Sequence, residues 1–251
     1  VNEHARRVFS FLGLQDWREA ANFQVCHNTI THAYENSDNA CQWTYDFCLM
    51  TTSKSPLTPP CITFAGNVIN AREKLASGGF GHVCFGLNGG TAKAFNNKLY
   101  GTSGRTQIKP FLLHEQPSRL EFSYNTCTET VYSGQIERVP YCELLMRGNS
   151  MRGNSKLYFY RGNKLDQTQT AHVVMEDNFF VSGGFELVCQ EFSYNGSLRV
   201  NGNTWYINRA GNGTQVVPYA TYNTATCNLT EAVFTNNVIT GNRYVGDTSL
   251  P

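Results

Sequence analysis

The stretch SYNGSLRVNGNTWYINRAGNGTQ, residues 193–215, contains three Asn-Gly pairs within 23 residues. Short runs of alternating character, such as residues 197–200 and 204–207, separate the pairs. Asn and Gly both tolerate the positive φ angles of tight turns, and Asn-Gly is the strongest short-range signal for a β-hairpin. This stretch therefore predicts a series of β-hairpins.

Period-two alternation of apolar side chains extends the β prediction along the chain. One face is shared by Trp43, Tyr45, Phe47 and Leu49 in residues 41–49, and by Leu120, Phe122 and Tyr124 in residues 119–124. Further predicted strands are residues 23–34, 61–65, 80–87, 107–114, 135–146, 156–160, 172–175, 179–181, 185–192 and 214–219. Turn residues recur about every ten positions, which is typical of sandwiches and barrels. The sequence predicts an all-β fold, a two-sheet antiparallel sandwich of jelly-roll type, as a single domain over residues 1–251.

Two segments are candidates for short helices. Residues 16–21 begin with Asp16 as a potential cap. Residues 67–78 have a capping Asn67, apolar residues at 68, 71 and 75, and a terminal Gly78. We therefore expect one or two short helices beside the sheets.

The composition favours a protein that buries part of its surface in contacts with neighbouring subunits. Charged residues make up 16% of the chain, against roughly 25% in ordinary soluble domains. The 20 basic and 19 acidic residues leave a net charge of +1, and aromatic residues reach 13%. Interfaces are poor in Lys, Glu and Asp and rich in aromatic residues and Arg. A secreted protein with a polar, uncharged surface is the alternative interpretation.

No stretch approaches the roughly 20 apolar residues of a membrane span, and no signal peptide is recognisable at Val1. A chain that starts at Val rather than Met is expected to be a processed product or part of something longer.

Nine cysteines, at positions 26, 41, 48, 61, 84, 127, 142, 189 and 227, include no CxxC pair. Zinc-type spacing is therefore missing, and an odd count leaves one thiol over in any disulfide framework. Cys41 and Cys48 lie seven apart on one predicted strand and so face opposite sides of it. We interpret the cysteines as reduced, small core residues.

The chain shows no recognisable catalytic constellation. His27 and His32 project to opposite faces of a predicted strand, and His172 has only Glu176 and Asp177 nearby. The Gly-rich residues 81–86 around Cys84 have no convincing base upstream, and Gly-Asp-Thr-Ser-Leu at 246–250 lacks the strand and helix that an esterase block requires. The sequence therefore predicts no enzyme, no catalytic residue, no cofactor and no metal.

A tandem repeat, Arg-Gly-Asn, occurs at residues 147–149, 152–154 and 161–163. The segment Arg147–Lys164 carries five basic residues and no acidic one. A duplicated surface turn is the simpler interpretation, and a patch that faces phosphate is the alternative.

Four fragments resemble the capsid proteins of picorna-like icosahedral viruses. Residues 135–141 and 215–219 both end in Val-Pro-Tyr, residues 157–163 are similar to the family's aromatic-Arg-Gly turn, and residues 172–180 are similar to its final strand. The resemblance implies a jelly-roll coat subunit of a non-enveloped virion, cut from a polyprotein. It would assemble with other coat subunits around the genome, with viral RNA and a host receptor as further partners.

The alternative function is a receptor- or glycan-binding sandwich of a viral surface glycoprotein, secreted or on an envelope. Sequons at Asn195, Asn212 and Asn228 fit that role, although about four are expected by chance from this composition. Trp205 and Tyr206 would then stack on sugar rings. A disulfide-dependent or glycosidase-dependent gel shift would favour this alternative over the coat subunit.

Overall fold

The computed structural model describes residues 7–12, 22–32, 44–50, 61–71, 82–101, 108–130, 132–153, 157–160, 169–182, 186–190, 193–207, 217–222 and 226–241. Within these ranges the chain forms 24 β-strands and no helix, which confirms the all-β class. Among these residues, accordingly, no helix has the length and apolar character to cross a membrane.

The strands follow a cycle of three, and strands three apart in the chain pair with each other. The first face consists of β1 (Arg7–Leu12), β4 (Thr44–Met50), β7 (His82–Asn88), β10 (Ile108–His114), β13 (Gly134–Glu137), β16 (Leu157–Tyr160), β19 (Glu186–Gln190) and β22 (Val217–Tyr222). The second face consists of β2 (Asn22–Cys26), β5 (Cys61–Ala65), β8 (Gly90–Phe95), β11 (Ser118–Ser123), β14 (Tyr141–Arg147), β17 (Gln169–Glu176), β20 (Ser193–Asn201) and β23 (Thr226–Thr235). The third face consists of β3 (Thr29–His32), β6 (Val68–Ala71), β9 (Lys98–Tyr100), β12 (Thr126–Thr130), β15 (Ser150–Gly153), β18 (Phe179–Ser182), β21 (Thr204–Ile207) and β24 (Val238–Gly241).

Pairings between the described strands are parallel throughout the three faces. The second face is an eight-stranded sheet, and the first and third faces join through one pairing, Ile108 with Thr130, into a sheet of 16 strands. Three strands per turn over eight turns form a parallel β-helix, a solenoid in which each coil contacts only its neighbours. The predicted antiparallel jelly-roll sandwich is wrong.

The hairpin prediction failed because the Asn-Gly turn joins two different faces. Asn201 ends β20 and Gly202 begins the turn to β21. The second-face strand β20 pairs with β17 and β23, whereas the third-face strand β21 pairs with β18 and β24. The turn therefore bends the chain around the solenoid instead of folding it back on itself.

The three corners of the coil differ in length. The corner between the second and third faces always has two residues, from His27-Asn28 in the first coil to Asn236-Asn237 in the last. Connections at the other two corners range from one residue, Gly89, to the eleven residues 33–43. Insertions in solenoids occur at the loops that tolerate extra residues. Since this corner keeps the same length in every coil, we infer that it sets the register between the coils.

A ladder of asparagines, buried except for the half-buried members at its two ends, holds that constant corner together. Its eight members are Asn28, Asn67, Asn97, Asn125, Asn149, Asn178, Asn203 and Asn237. The backbone N–H of each of the first seven donates to Oδ1 of the next at 2.9–3.0 Å. The side-chain Nδ2 of each donates to the same oxygen at 2.8–3.2 Å.

Each ladder asparagine also ties its coil to the previous one. From Asn67 onward, Nδ2 donates to a second-face carbonyl of the preceding coil at 2.8–3.0 Å, such as Asn149 to Phe122 O. Only a carboxamide offers both an acceptor oxygen and two donor hydrogens at one side-chain end. The ladder therefore satisfies backbone groups that burial would otherwise leave without partners.

The residue before each ladder asparagine adopts a left-handed conformation, with φ between 53° and 67°. Three of these positions are glycines that lie beneath a larger turn residue of the preceding coil: a Cβ at Gly66 would lie 2.6 Å from the His27 ring, and one at Gly148 would lie 2.6 Å from the Tyr124 ring. The turn thus needs glycine for space as well as for its backbone angle.

The core fills the interior of the solenoid with stacked apolar side chains from all three faces. Aromatic rings connect elements within it: the centroids of Phe111 and Phe122 lie 5.2 Å apart, and Phe180 stacks on Trp205 at 5.5 Å. Column-wise stacking of like side chains is how a solenoid builds a continuous core from small repeats.

Two local predictions are corrected by this architecture. Of the helix predicted over residues 67–78, residues 68–71 form β6, Asn67 is a ladder residue rather than a helix cap, and residues 72–78 lie outside the described residues. Tyr124 does not share the buried face of Leu120 and Phe122, because it occupies the turn and is 58% exposed. The predicted helix over residues 16–21 lies outside the described residues.

Candidate functional site

A polar row crosses the outer side of the second face. Arg119, Glu143, His172 and Ser197 occupy equivalent positions on β11, β14, β17 and β20, because the strand register pairs each with the next. Adjacent parallel strands lie about 4.8 Å apart, so neighbouring side chains in this row are within contact distance. The row places an acid, an imidazole and a hydroxyl in one line.

Glu143 is held at one end of this row by two partners. Arg119 Nε lies 2.6 Å from Glu143 Oε2 and Arg119 Nη2 donates to Oε1 at 2.9 Å. The Tyr141 hydroxyl donates to the same Oε1 at 2.6 Å. The hydrogen bond from Arg119, followed by that from Tyr141, lowers the pKa of Glu143, and the charge of His172 contributes in the same direction. Glu143 is therefore a fixed anion beside the imidazole.

His172 and Ser197 form the most chemically specific contact of the row. His172 Nδ1 lies 2.9 Å from Ser197 Oγ, and both side chains are half-buried. The edge of the Tyr141 ring packs against the imidazole at a centroid distance of 5.9 Å. In the tautomer with Nε2 protonated, Nδ1 accepts the proton of the serine hydroxyl.

A β-bulge lies directly beside Ser197. The register between β20 and β23 pairs Gly196 with Leu229 and Ser197 with Glu231, which leaves Thr230 as an extra residue. Thr230 donates its hydroxyl to Gly196 O at 3.0 Å. Gly196 has φ of 139°, and a Cβ there would lie 1.8 Å from Ala171 O. Bulges are common next to active sites because they redirect a side chain and free backbone groups.

Other charges of the second face pair between adjacent coils. Arg147 Nε donates to Glu176 at 2.9 Å, and Arg199 makes a bidentate contact with Glu231 at 2.9–3.1 Å. Exposed pairs of this type contribute at most about 1 kcal/mol each. We interpret these ion pairs as contacts that align neighbouring coils rather than as groups that bind a ligand.

A second polar cluster is buried on the first face. Lys109 is only 1% exposed, and its Nζ lies 5.4 Å from the centre of the Tyr132 ring, which stacks on Tyr158 at 4.8 Å. Burial lowers the pKa of Lys109 to about 7, and the charge of Glu137 opposes that effect. Because the ammonium group is enclosed, this cluster affects stability and is closed to a substrate.

Near this cluster, ionic groups meet at the corner between the first and second faces. His114 Nε2 lies 3.6 Å from Glu137 Oε1, and Arg138 lies 3.1 Å from Glu115 and 3.6 Å from Glu137. The guanidinium group occupies the centre between the carboxylates. Across the described part of the chain, no group of three or more His, Cys, Asp or Glu is arranged to hold a metal ion.

The last coil exposes positions that are core in the other coils. Ile239 is 51% exposed, whereas its register partner Trp205 is 1% exposed, and Phe234 is 38% exposed beside a fully buried Val200. The first coil differs, since Val25 and Ile30 are each only 8% exposed. One end of the described solenoid is therefore covered and the other is apolar and open.

Several residues singled out from the sequence have structural roles. Trp205 stacks in the core and does not present its ring to a ligand, so its predicted contact with sugars is wrong. Arg147 ends β14 and pairs with Glu176, so the first Arg-Gly-Asn repeat is a ladder turn and not an unpaired basic patch. The repeat at 152–154 is described as far as Gly153, and the repeat at 161–163 lies outside the described residues.

The cysteine interpretation is confirmed where side chains are described. Cys84, Cys127 and Cys142 are buried, Cys127 and Cys142 are free thiols, and burial raises the pKa of both of these thiols. Cys26 is also free and half-buried. Cys41 and the sequon at Asn212 lie outside the described residues, and Asn195 lies within β20.

The pairing of His172 with Ser197, which are 25 residues apart, was not predicted from the sequence. A recognisable signal existed in the eight strands that each precede a turn residue and an asparagine, because aligning them would have placed Glu143, His172 and Ser197 in one column. Comparison of the chain with family models, curated proteins and solved structures finds no match.

Proposed function

We propose that this chain is a self-associating structural subunit in which two copies join through their last coils. The observation that carries the proposal is the open apolar end, where Phe234 and Ile239 are 38% and 51% exposed although their register partners Val200 and Trp205 are buried. Soluble proteins rarely leave such side chains grouped at a sheet edge unless a partner covers them.

A second copy, joined end to end about a twofold axis, is the occupant that fits this surface. All four residues of β24 are exposed, and among the described strands β24 pairs only with β21. An unpaired strand edge is a template for pairing with another strand. The corresponding positions of the first coil are covered, so the matching open apolar surface is the last coil of another copy. A twofold contact uses the same patch on both subunits and closes at a dimer.

The charge balance supports this arrangement. With 20 basic and 19 acidic residues, the net charge of +1 gives two copies little electrostatic reason to repel each other. Association with identical copies was also the sequence prediction. The resemblance to coat proteins and the location in a virion stay predictions, and the proposal keeps only self-association because the jelly roll that the resemblance implied is wrong.

Sedimentation equilibrium on the whole chain tests the proposal. We expect a mass of twice 28.1 kDa at micromolar concentration, and a shift to the single-chain mass in Ile239→Lys. Thr29→Lys is the matched control, since it adds the same charge to the exposed third face of the first coil and should leave the dimer intact.

Three outcomes would overturn the proposal. One is a single-chain mass for the unmodified protein at every concentration, which would mean that residues after Gly241 or another partner cover the last coil. Another is a mass that grows without limit, which a closed twofold contact does not allow. The third is dissociation by Thr29→Lys to the same extent as by Ile239→Lys.

A further inference from the structure

We propose that Ser197 is an activated nucleophile and His172 its general base, which together form a site for the hydrolysis of esters of small acyl groups. This activity goes beyond the proposed self-association and rests on different residues. Both side chains project from the outer side of the second face, at the end of its polar row away from Arg119.

The geometry supplies the first requirement of nucleophilic catalysis, a base within hydrogen-bonding reach of the hydroxyl. His172 Nδ1 lies 2.9 Å from Ser197 Oγ, which is within the range of working nucleophile–base pairs. A serine hydroxyl is a weak nucleophile without such a partner. Solvent reaches the pair because both side chains are half-buried rather than enclosed.

The neighbouring residues supply orientation and charge. The Tyr141 ring packs edge-on against the imidazole and restricts its rotation. Glu143, in register with His172, is kept ionised by Arg119 and the Tyr141 hydroxyl. The row therefore places a fixed carboxylate on the side of His172 opposite Ser197, where it offsets the positive charge that the ring gains during transfer of the serine proton.

The bulge supplies a feature that ordinary strand serines lack. Thr230 is an extra residue opposite the Gly196–Ser197 step, and its hydroxyl donates to Gly196 O at 3.0 Å, which fixes the backbone next to Ser197. Gly196 is required for this local geometry, because the carbonyl of Ala171 occupies the space of any Cβ.

The chemical steps balance with water as the only co-reactant. Ser197 Oγ attacks the carbonyl carbon of the ester while its proton passes to His172 Nδ1. The bond from that carbon to the alcohol oxygen breaks, and the proton on His172 passes to the departing alkoxide. Water then attacks the acyl-serine with His172 again as base, which releases the carboxylic acid and restores the hydroxyl.

Labelling with a fluorophosphonate, in which the serine oxygen displaces fluoride from phosphorus, tests the inference on the whole chain. Mass spectrometry of peptides after timed exposure should find Ser197 modified at least about 100-fold faster than Ser150, in line with the effect of a positioned base. Ser150 is the internal control because it is an exposed serine on the third face. p-Nitrophenyl acetate should give a burst of nitrophenol close to one equivalent per chain.

Variants separate a catalytic histidine from a structural one. His172→Gln should reduce labelling of Ser197 to the rate of Ser150, whereas Ser150→Ala should change nothing. Glu143→Gln should slow labelling and alter its pH profile without abolishing it, since Glu143 acts through the imidazole. Equal labelling of Ser197 and Ser150 in the unmodified protein, or unchanged labelling in a folded His172→Gln protein, would overturn the inference. The first comparison needs no variant, so misfolding of His172→Gln does not affect it.

Discussion

The ring of Phe111 occupies the space beside Gly134, so that a Cβ at residue 134 would lie 2.0 Å from Phe111 Cζ. The two residues lie on adjacent strands of the first face, β10 and β13, where the ring of Phe111 uses the space that the absent side chain of Gly134 leaves in the next coil. We therefore expect Gly134→Ala to lower the free energy of unfolding by about 1–3 kcal/mol, as overpacking of a core does.

A double-mutant cycle in urea checks that reason. Phe111→Leu removes ring atoms that the new methyl group would meet, so the double variant should be more stable than the sum of the single effects predicts, by about 1 kcal/mol. Additive effects would show that the strain of Gly134→Ala arises somewhere other than at Phe111.

Removal of one ladder asparagine should cost more than removal of an ordinary polar side chain. Asn149→Ala deletes the acceptor of Asn125 N–H and the donor to Phe122 O, both in a fully buried corner. Each buried group left without a partner costs about 1–3 kcal/mol, so we expect a loss of about 3 kcal/mol or more in denaturant unfolding. Asn70→Ala, at a half-buried position on the third face, is the control and should change stability by less than about 0.5 kcal/mol. Similar losses in the two variants would contradict a special role for the ladder.

Stability should increase with pH above neutrality because of Lys109. Its pKa is about 7 in the fold and 10.5 when unfolded, so between these values the unfolded chain binds a proton that the folded chain does not. The free energy of unfolding then rises with pH across that window, by at most roughly 1.4 kcal/mol per unit. Below pH 7 the enclosed ammonium destabilises the fold by a constant amount.

Lys109→Met isolates this effect from the other titrating groups. The difference in unfolding free energy between Lys109→Met and the unmodified protein should favour the variant most below pH 7 and shrink toward pH 10.5. Chemical unfolding at a series of pH values measures it. A difference that does not change with pH would mean that Lys109 stays protonated throughout the window.

The ion pair of Arg147 and Glu176 should contribute little and should depend on salt. Arg147 is 43% exposed at its side chain, where solvent and ions screen the charges. Arg147→Gln should lower the free energy of unfolding by less than about 1 kcal/mol at low ionic strength, and by less still in 1 M NaCl. A larger loss that salt does not reduce would indicate a packing role for the arginine stem.

The strands were predictable from the sequence, and their partners were not. Residues 61–65 coincide with β5, and the alternation around Leu120 and Phe122 correctly marks β11. Alternation shows that one side of a strand is buried. It does not show whether the strand pairs with one 10 residues away along the chain or with one a full coil away. The Asn-Gly pair led to the wrong prediction of a hairpin. Asn201-Gly202 has the backbone freedom that a hairpin turn uses, but here it bends the chain to a new face.

The repeat escaped detection because its period is irregular. Successive ladder asparagines are 24 to 39 residues apart, since insertions at two corners change the length of each coil. The site was hidden for the same reason: His172 and Ser197 become neighbours only when two such coils are laid in register. Sequence spacing alone gave His172 no partner beyond Glu176 and Asp177.

The asparagine ladder also affects how the number of coils can change during evolution. Each ladder asparagine offers the same oxygen to the coil before it and the same amide to the coil after it. A duplicated coil could therefore form the same hydrogen bonds with both of its neighbours, even one as short as the 24 residues that separate Asn125 from Asn149. Lengthening or shortening of the rod by whole turns is thus a small genetic event, whereas loss of a single residue inside the two-residue corner would misalign everything downstream.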